Sequence, residues 1–296
     1  MTLRNNTCTS LHRLVSTICL LSLPFIAFAQ EVPGNGTGAI RLSTAEEIKS
    51  EFNSVPCKNN DRLSAVKALF EKMGAKPEEI VVEKIKRTEN VVIRKPGTGD
   101  SPEVIVIGAH YDKTSNGCGA VDNWTGIVAL AHVYRTLKDQ PLKKTVVFAA
   151  FGREEEGLVG SSEMADAIKK EEAASYCAMI NIDTLGMGIP QTLDNVSSKS
   201  LIDFTVNLAK EMNLPFAHTR VEGASSDSAS FIRKKIPAVT IHSLTNQWRT
   251  ILHTGFDQPA KVNHESVYQG YRLTATLLAR IDAADCQAFR EDKKKK

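Results

Sequence analysis

Four apolar runs divide the chain. Residues 103–109, 144–151, 177–183 and 237–242 are short and rich in Val, Ile, Phe and Ala. They read as strands buried on both faces, the pattern of a parallel sheet. Between them, residues 126–137, 158–170 and 200–212 repeat apolar side chains at helical spacing, as in Ile127, Leu130, Tyr134 and Leu137. Residues 264–283 predict a closing helix. Upstream, Thr44 followed by Glu46 and Glu47 predicts a helix over 44–52, with acids in its first turn. Leu63, Val66, Leu69 and Phe70 predict another over 61–73. Residues 79–87 and 90–94 alternate, predicting a hairpin that turns near Thr88-Glu89, and residues 226–232 suit a short helix. Strands that alternate with helices predict an α/β fold, a three-layer α/β/α sandwich with a mixed, mostly parallel central sheet.

Each apolar run ends in chemistry. The first stops at His110-Tyr111-Asp112, the second is followed by Glu154-Glu155, the third ends in Asp183, and the fourth in His242, with His253 nearby. Open α/β sheets carry their sites just beyond the carboxyl ends of the strands. Taken singly these groups are ordinary: a surface histidine, a solvated acidic loop, a helix N-cap. Together they need explaining, because several carboxylates gathered at one buried edge are costly without cations. Mixed imidazole and carboxylate donors suit zinc, and one carboxylate can bridge two ions. Adjacent Glu154 and Glu155 on an irregular loop can point apart, one to a metal and the other to a water proton. Asp112, two residues beyond His110, is placed to orient the imidazole through its other nitrogen.

Composition adds the compartment. The 296 residues are 42% hydrophobic, ample for one large core. In residues 1–29, Arg4 and Arg13 precede an apolar segment that ends in Ala27-Phe28-Ala29, the form of a signal peptide cleaved after Ala29. Ser16, Thr17, Ser22 and Pro24 make that segment a poor membrane anchor. The expected mature protein is secreted or periplasmic. It would have a flexible leader at 30–42, a single domain at 43–290 and a basic tail at 291–296. Losing two arginines and no acids brings the formal charge down from +3, so nothing points to nucleic acid, and no membrane partner is expected after cleavage. Cys57, Cys118, Cys177 and Cys286 remain, an even count that suggests disulfides with three possible pairings. Cys57 and Cys286 lie in the terminal regions, where a bond between them would staple the two ends.

The ordered motifs GAHYD, GAVDNWTG, FGREEEGLVGSS, NIDTLG, SSDSASF and LHTGFD, from Val104 to Asp257, resemble the M28 family of co-catalytic zinc peptidases. The resemblance implies the zinc-peptidase fold and two Zn2+ per chain. His110 and Asp183 would bind one ion, Glu155 and His253 the other, and Asp122 would bridge. The Gly157-Leu158-Val159-Gly160-Ser161 segment sets the register, making Glu154 the general base and Glu155 the ligand. It also implies a cis peptide at Asp122-Asn123, and an aminopeptidase acting on peptides with a free N-terminus. His242 becomes structural or a support behind the ligands, and His132, His218 and His264 have no supporting motif. Trp248 and Arg249 are candidates for the substrate pocket, as is Asp227. Ser226-Asp227-Ser228 departs from the Ser-Asp-His common in relatives. Glutaminyl cyclases, which use one zinc, share the fold and much of the motif order. They carry Trp before the last ligand, where Leu252 stands here, and Asp-Asp-His at 226–228. A non-catalytic receptor ectodomain is disfavoured by the filled ligand positions. A carboxypeptidase for acidic dipeptides would need more pocket cations than Arg249.

Overall fold

The runs of Val, Ile and Ala form the middle of an eight-stranded sheet in a computed structural model that describes residues 40–290. The expected signal peptide, most of the leader and the basic tail lie outside the described residues. The strands are β1 (Val81–Ile85), β2 (Thr88–Lys95), β3 (Val104–His110), β4 (Thr145–Phe151), β5 (Tyr176–Ile182), β6 (Gln191–Leu193), β7 (Ala217–Thr219) and β8 (Ala238–His242). Their order is β1-β2-β4-β3-β5-β8-β6-β7. β4, β3, β5 and β8 are mutually parallel, so their carboxyl ends share one edge. β1, β2 and β6 join antiparallel.

The helices are α1 (Ala45–Ser50), α2 (Asn59–Lys72), α3 (Thr125–Leu137), α4 (Val159–Ala167), α5 (Lys199–Glu211), α6 (Ser228–Arg233), α7 (Trp248–Ile251) and α8 (His264–Ala283). Alternate strand residues face opposite ways. Ile105, Ile107, Phe148 and Ile180 pack under α1, α2, α3, α5 and α8, while Val106, Val147, Ala149 and Met179 pack under α4 and α6. This is the expected three-layer α/β/α arrangement. None of the described helices is long and apolar enough to cross a membrane.

Two expectations need correction. The hairpin turns at Lys86-Arg87, not at Thr88-Glu89, and Thr88 already pairs with Ile85. The physical reason is inward bonding. Thr88 donates its hydroxyl to the Gly152 carbonyl, and the Asn90 side chain bridges Gly152 and Gly160, so these polar residues belong to the buried strand. The disulfides join Cys57 to Cys118 and Cys177 to Cys286, so no bond staples Cys57 to Cys286. Cys177 lies on buried β5, against which the C-terminal turn folds, whereas Cys57 precedes α2 and faces the loop after β3. Each terminal region is tied to the body of the sheet.

Candidate metal centre

His110 is the last residue of β3 and is 1% exposed. Its Nδ1 lies 3.3 Å from the Asp112 carbonyl oxygen and 3.6 Å from Oδ1 of the same residue. The shorter bonds of the Asp112 carboxylate go elsewhere: it accepts the Glu154 and Glu155 amides at 2.9 and 3.1 Å. Asp112 therefore fixes the double-glutamate loop as well as the imidazole. With Nδ1 donating to the carbonyl, the Nε2 lone pair of His110 faces the cluster.

Asp122 sits in the Ala120–Trp124 turn, and its bond to Asn123 is cis, as the resemblance implied. The neighbouring side chain is locked in place. Asn123 donates to the Ile182 carbonyl and accepts from the Gly126 and Thr184 amides. A Cβ at Gly126 would come within 2.4 Å of Asn123 Oδ1, which explains the glycine in the VDNWTG segment. So held, the Asp122 carboxylate forks. Oδ1 is 3.2 Å from His110 Nε2 and Oδ2 is 3.1 Å from His253 Nε2.

The remaining candidates close around this fork. Asp183, the first residue after β5, places Oδ1 3.6 Å from His110 Nε2, and the Ser226 hydroxyl donates to its Oδ2. Glu155 Oε2 is 3.2 Å from His253 Nε2, while its buried Oε1 has no hydrogen-bond partner. Glu154 Oε2 stands farther off, 3.9 Å from His110 Nε2. Donor atoms of His110, Glu154 and Asp183 lie within 4.8 Å of one another, as do those of Asp122, Glu155 and His253. The cluster seeks positive charge: hydrogen bonds to Asp122 and Glu155 push the His253 imidazolium up to about 10. Burial pushes Glu154 well above the usual carboxylate range, against the pull of His110. Imidazoles and carboxylates converging in pairs, with one buried oxygen unpartnered, are a donor set that fits divalent zinc.

Beside the cluster lies a cavity of about 400 Å³, walled on its apolar side by Leu193, Val221, Ala224, Leu244, Trp248 and Leu252. Trp248 and Arg249 both line it, the guanidinium 4.3 Å over the indole ring. Asp227 does not. It is fully buried, close enough to Glu154 to raise it, and burial pushes its own carboxyl up to about 7. Ser228, standing where relatives carry histidine, turns to the Val196 carbonyl and the Thr240 hydroxyl. His242 lines the cavity but spends both ring nitrogens on protein, Nδ1 accepting from the Leu244 amide and Nε2 meeting the Thr219 hydroxyl. Sequence reasoning missed the work of Asp257. This buried carboxylate accepts the Val121 and Asp122 amides at 2.7 and 3.1 Å and so presents the fork. The signal was in hand, as the final residue of the HTGFD segment.

The sequence model of peptidase family M28 matches residues 90–278, a span holding every residue of both donor groups. The chain belongs to peptidase family M28. The chain is 27% identical over 220 residues to the aminopeptidase YwaD of Bacillus subtilis, covering 71% of this chain and 46% of that protein. It is 28% identical over 163 residues to leucine aminopeptidase 2 of Trichophyton equinum, covering 51% and 32%. The chain thus spans less than half the length of either relative. Among solved structures, the zinc aminopeptidase BSAP of Bacillus subtilis superposes with a TM-score of 0.59 at 24% identity, over 70% of this chain and 54% of that one. A glutaminyl cyclase from an Acidobacteriales bacterium gives 0.69 at 18% identity, over 86% and 99%. At these identities the likeness is one of fold, and this M28 chain shares that fold with both.

Proposed function

We propose that this chain is a secreted zinc-dependent aminopeptidase, removing residues from peptides with a free N-terminus. The observation that carries the reading is the Asp122 fork, with one oxygen toward His110 and the other toward His253. A carboxylate so shared calls for two cations. His110 and Asp183 would hold one, Glu155 and His253 the other, with Asp122 common to both. Bound there, zinc supplies Lewis-acid polarisation of the scissile carbonyl and a water of lowered pKa.

The chain's own groups do the rest. Glu154 is not part of the fork, and its carboxylate takes the proton of the attacking water and returns it to the leaving amine. Asp112 holds the amides of both glutamates, so that one carboxylate can face substrate while its neighbour faces the ion. The apolar wall at Leu193, Leu244 and Trp248 receives the side chain of the first residue. Two disulfides support an oxidising compartment, in keeping with the signal peptide expected at 1–29. The reading as a single-zinc glutaminyl cyclase is opposed by the fork and by Leu252 before the last histidine of the donor set, His253.

Mass spectrometry on peptides beginning with Leu, Ala, Glu and Gln, some N-acetylated, tests the proposal. Stepwise loss of free N-terminal residues, blocked by acetylation and by a zinc chelator, is the expected result. Ammonia loss confined to the Gln peptides would replace it with a cyclase. Glu154→Gln should keep its zinc and lose about 10²- to 10⁴-fold in kcat; a wild-type rate would remove Glu154 as the base.

A further inference from the structure

Behind the metal centre sits a buried cation whose hydrogen bonds, among the described residues, go to backbone carbonyls and to no carboxylate. Arg62, on α2, is 0% exposed and is the largest of the fully buried side chains among the described residues. Its guanidinium is plugged into a socket of carbonyls. Nε donates to Pro56 at 2.9 Å, and Nη1 to Tyr111 at 2.7 Å and, more weakly, to Asp112 at 3.4 Å. Nη2 donates to Cys118 at 2.8 Å and to Gly119 at 2.7 Å. The Trp124 ring lies 5.5 Å away. Gly119 has a φ of +63°, and a Cβ there would sit 2.8 Å from Nη2, so the glycine makes room for the arginine.

A buried charge this costly needs a return. Tyr111 follows His110 directly, and Gly119 closes the loop that leads into Asp122. The socket therefore spans the loop joining the first histidine to the shared carboxylate. The acids whose charges favour the guanidinium are those around the cluster, Asp257, Asp112, Asp122 and Glu155. Arg62 lies outside residues 90–278, the span matched to the family. The Cys57–Cys118 disulfide clamps the same seam, each cysteine being joined to a segment whose carbonyl the guanidinium holds.

We propose that Arg62 is a positioning residue of the metal centre, whose guanidinium fixes the 111–119 loop so that His110 and Asp122 face one another and whose charge keeps the acid cluster assembled before metal arrives. The inference rests on the reading of that cluster as a zinc site.

Chelator competition for zinc, thermal unfolding and kcat–KM measurements on Arg62→Lys, Arg62→Met and Asn59→Ala test it. Asn59 braces the same loop through both of its amide atoms, but only at Lys113, away from the ligands. Arg62→Met should weaken zinc binding about 10- to 100-fold, the range for residues that orient metal ligands. It should lower kcat with little change in KM, and Arg62→Lys should recover part of both. Asn59→Ala should lose stability and keep wild-type zinc affinity. Arg62 variants that bind zinc as wild type does would overturn the proposal, as would an Asn59→Ala loss of equal size. Failure of both Arg62 variants to fold in saturating zinc would also overturn it, making Arg62 a folding residue. Wild-type protein that binds no zinc would instead overturn the reading of the centre itself, and this inference with it.

Discussion

Asp257 separates positioning from stability, because its contributions to stability oppose one another. Burial pushes its carboxyl from 3.8 up to about 6. The folded state therefore resists the ionised form, a penalty absent below the unfolded value and complete above about pH 6. At pH 7.5 that shift corresponds to about 3 kcal/mol of lost stability. Asp257→Asn relieves the penalty. One amide oxygen can still accept from Val121 or Asp122, but the NH2 group meets the other N–H and leaves a buried donor unsatisfied, at about 1–3 kcal/mol. The two effects nearly cancel. Metal-free Asp257→Asn should melt within about 5 °C of the metal-free wild type, given about 2–4 °C per kcal/mol at this size. Zinc binding should suffer, because the Asp122 amide loses its anchor. A 10- to 100-fold weaker affinity removes about 1.4–2.7 kcal/mol of zinc-dependent stabilisation, so the zinc-induced rise in Tm should shrink by about 3–10 °C. Thermal unfolding of both proteins at pH 7.5, with and without saturating zinc, is the assay. A zinc-induced rise equal to that of the wild type would refute the role of Asp257 in presenting the fork. A metal-free loss well beyond 10 °C would refute the charge reasoning.

Two further expectations concern the second disulfide and His242. Replacing both Cys177 and Cys286 with Ser opens a link spanning 109 residues of sequence, which should cost about 2–5 kcal/mol and lower Tm by about 4–20 °C with zinc content unchanged; a fall under 2 °C would mean that packing alone holds the C-terminal turn. His242→Gln should keep its zinc, because both ring nitrogens are already committed to Thr219 and Leu244, while altering the KM for different N-terminal residues; zinc loss on titration with chelator would make His242 a ligand after all.

Much of the architecture was legible because β3, β4, β5 and β8 are predominantly apolar runs, a pattern that burial on both faces imposes. The hairpin turn was misplaced because Thr88 and Asn90 are polar yet point inward, to carbonyl and amide groups of a loop some sixty residues away. β6 and β7, at three residues each, are too short to show a period. Among the site candidates, His110, Asp112, Asp122, Glu154, Glu155, Asp183 and His253 converge and Trp248 and Arg249 reach the cavity, whereas Asp227, though in an ordered motif, lies buried outside its lining. Cysteine pairing depends on which segments pack together, and spacing along the chain does not encode that. Arg62 left no sequence signal, because its socket is made of backbone carbonyls, which side-chain identity does not mark.

The HTGFD segment is zipped onto the loop that carries Asp122. Asn116 donates to the His253 carbonyl across 137 positions, the Cys118 amide to the Asp257 carbonyl, and the Val121 and Asp122 amides to the Asp257 carboxylate across 136 and 135. A ribosome therefore delivers His110, Asp122, the glutamates and Asp183 long before the segment that completes the centre. Until residue 257 has emerged, the shared carboxylate has neither its second histidine nor its anchor. A metal ion held by both histidines would therefore wait for residue 257, and in a chain exported unfolded it would be loaded on the far side of the membrane.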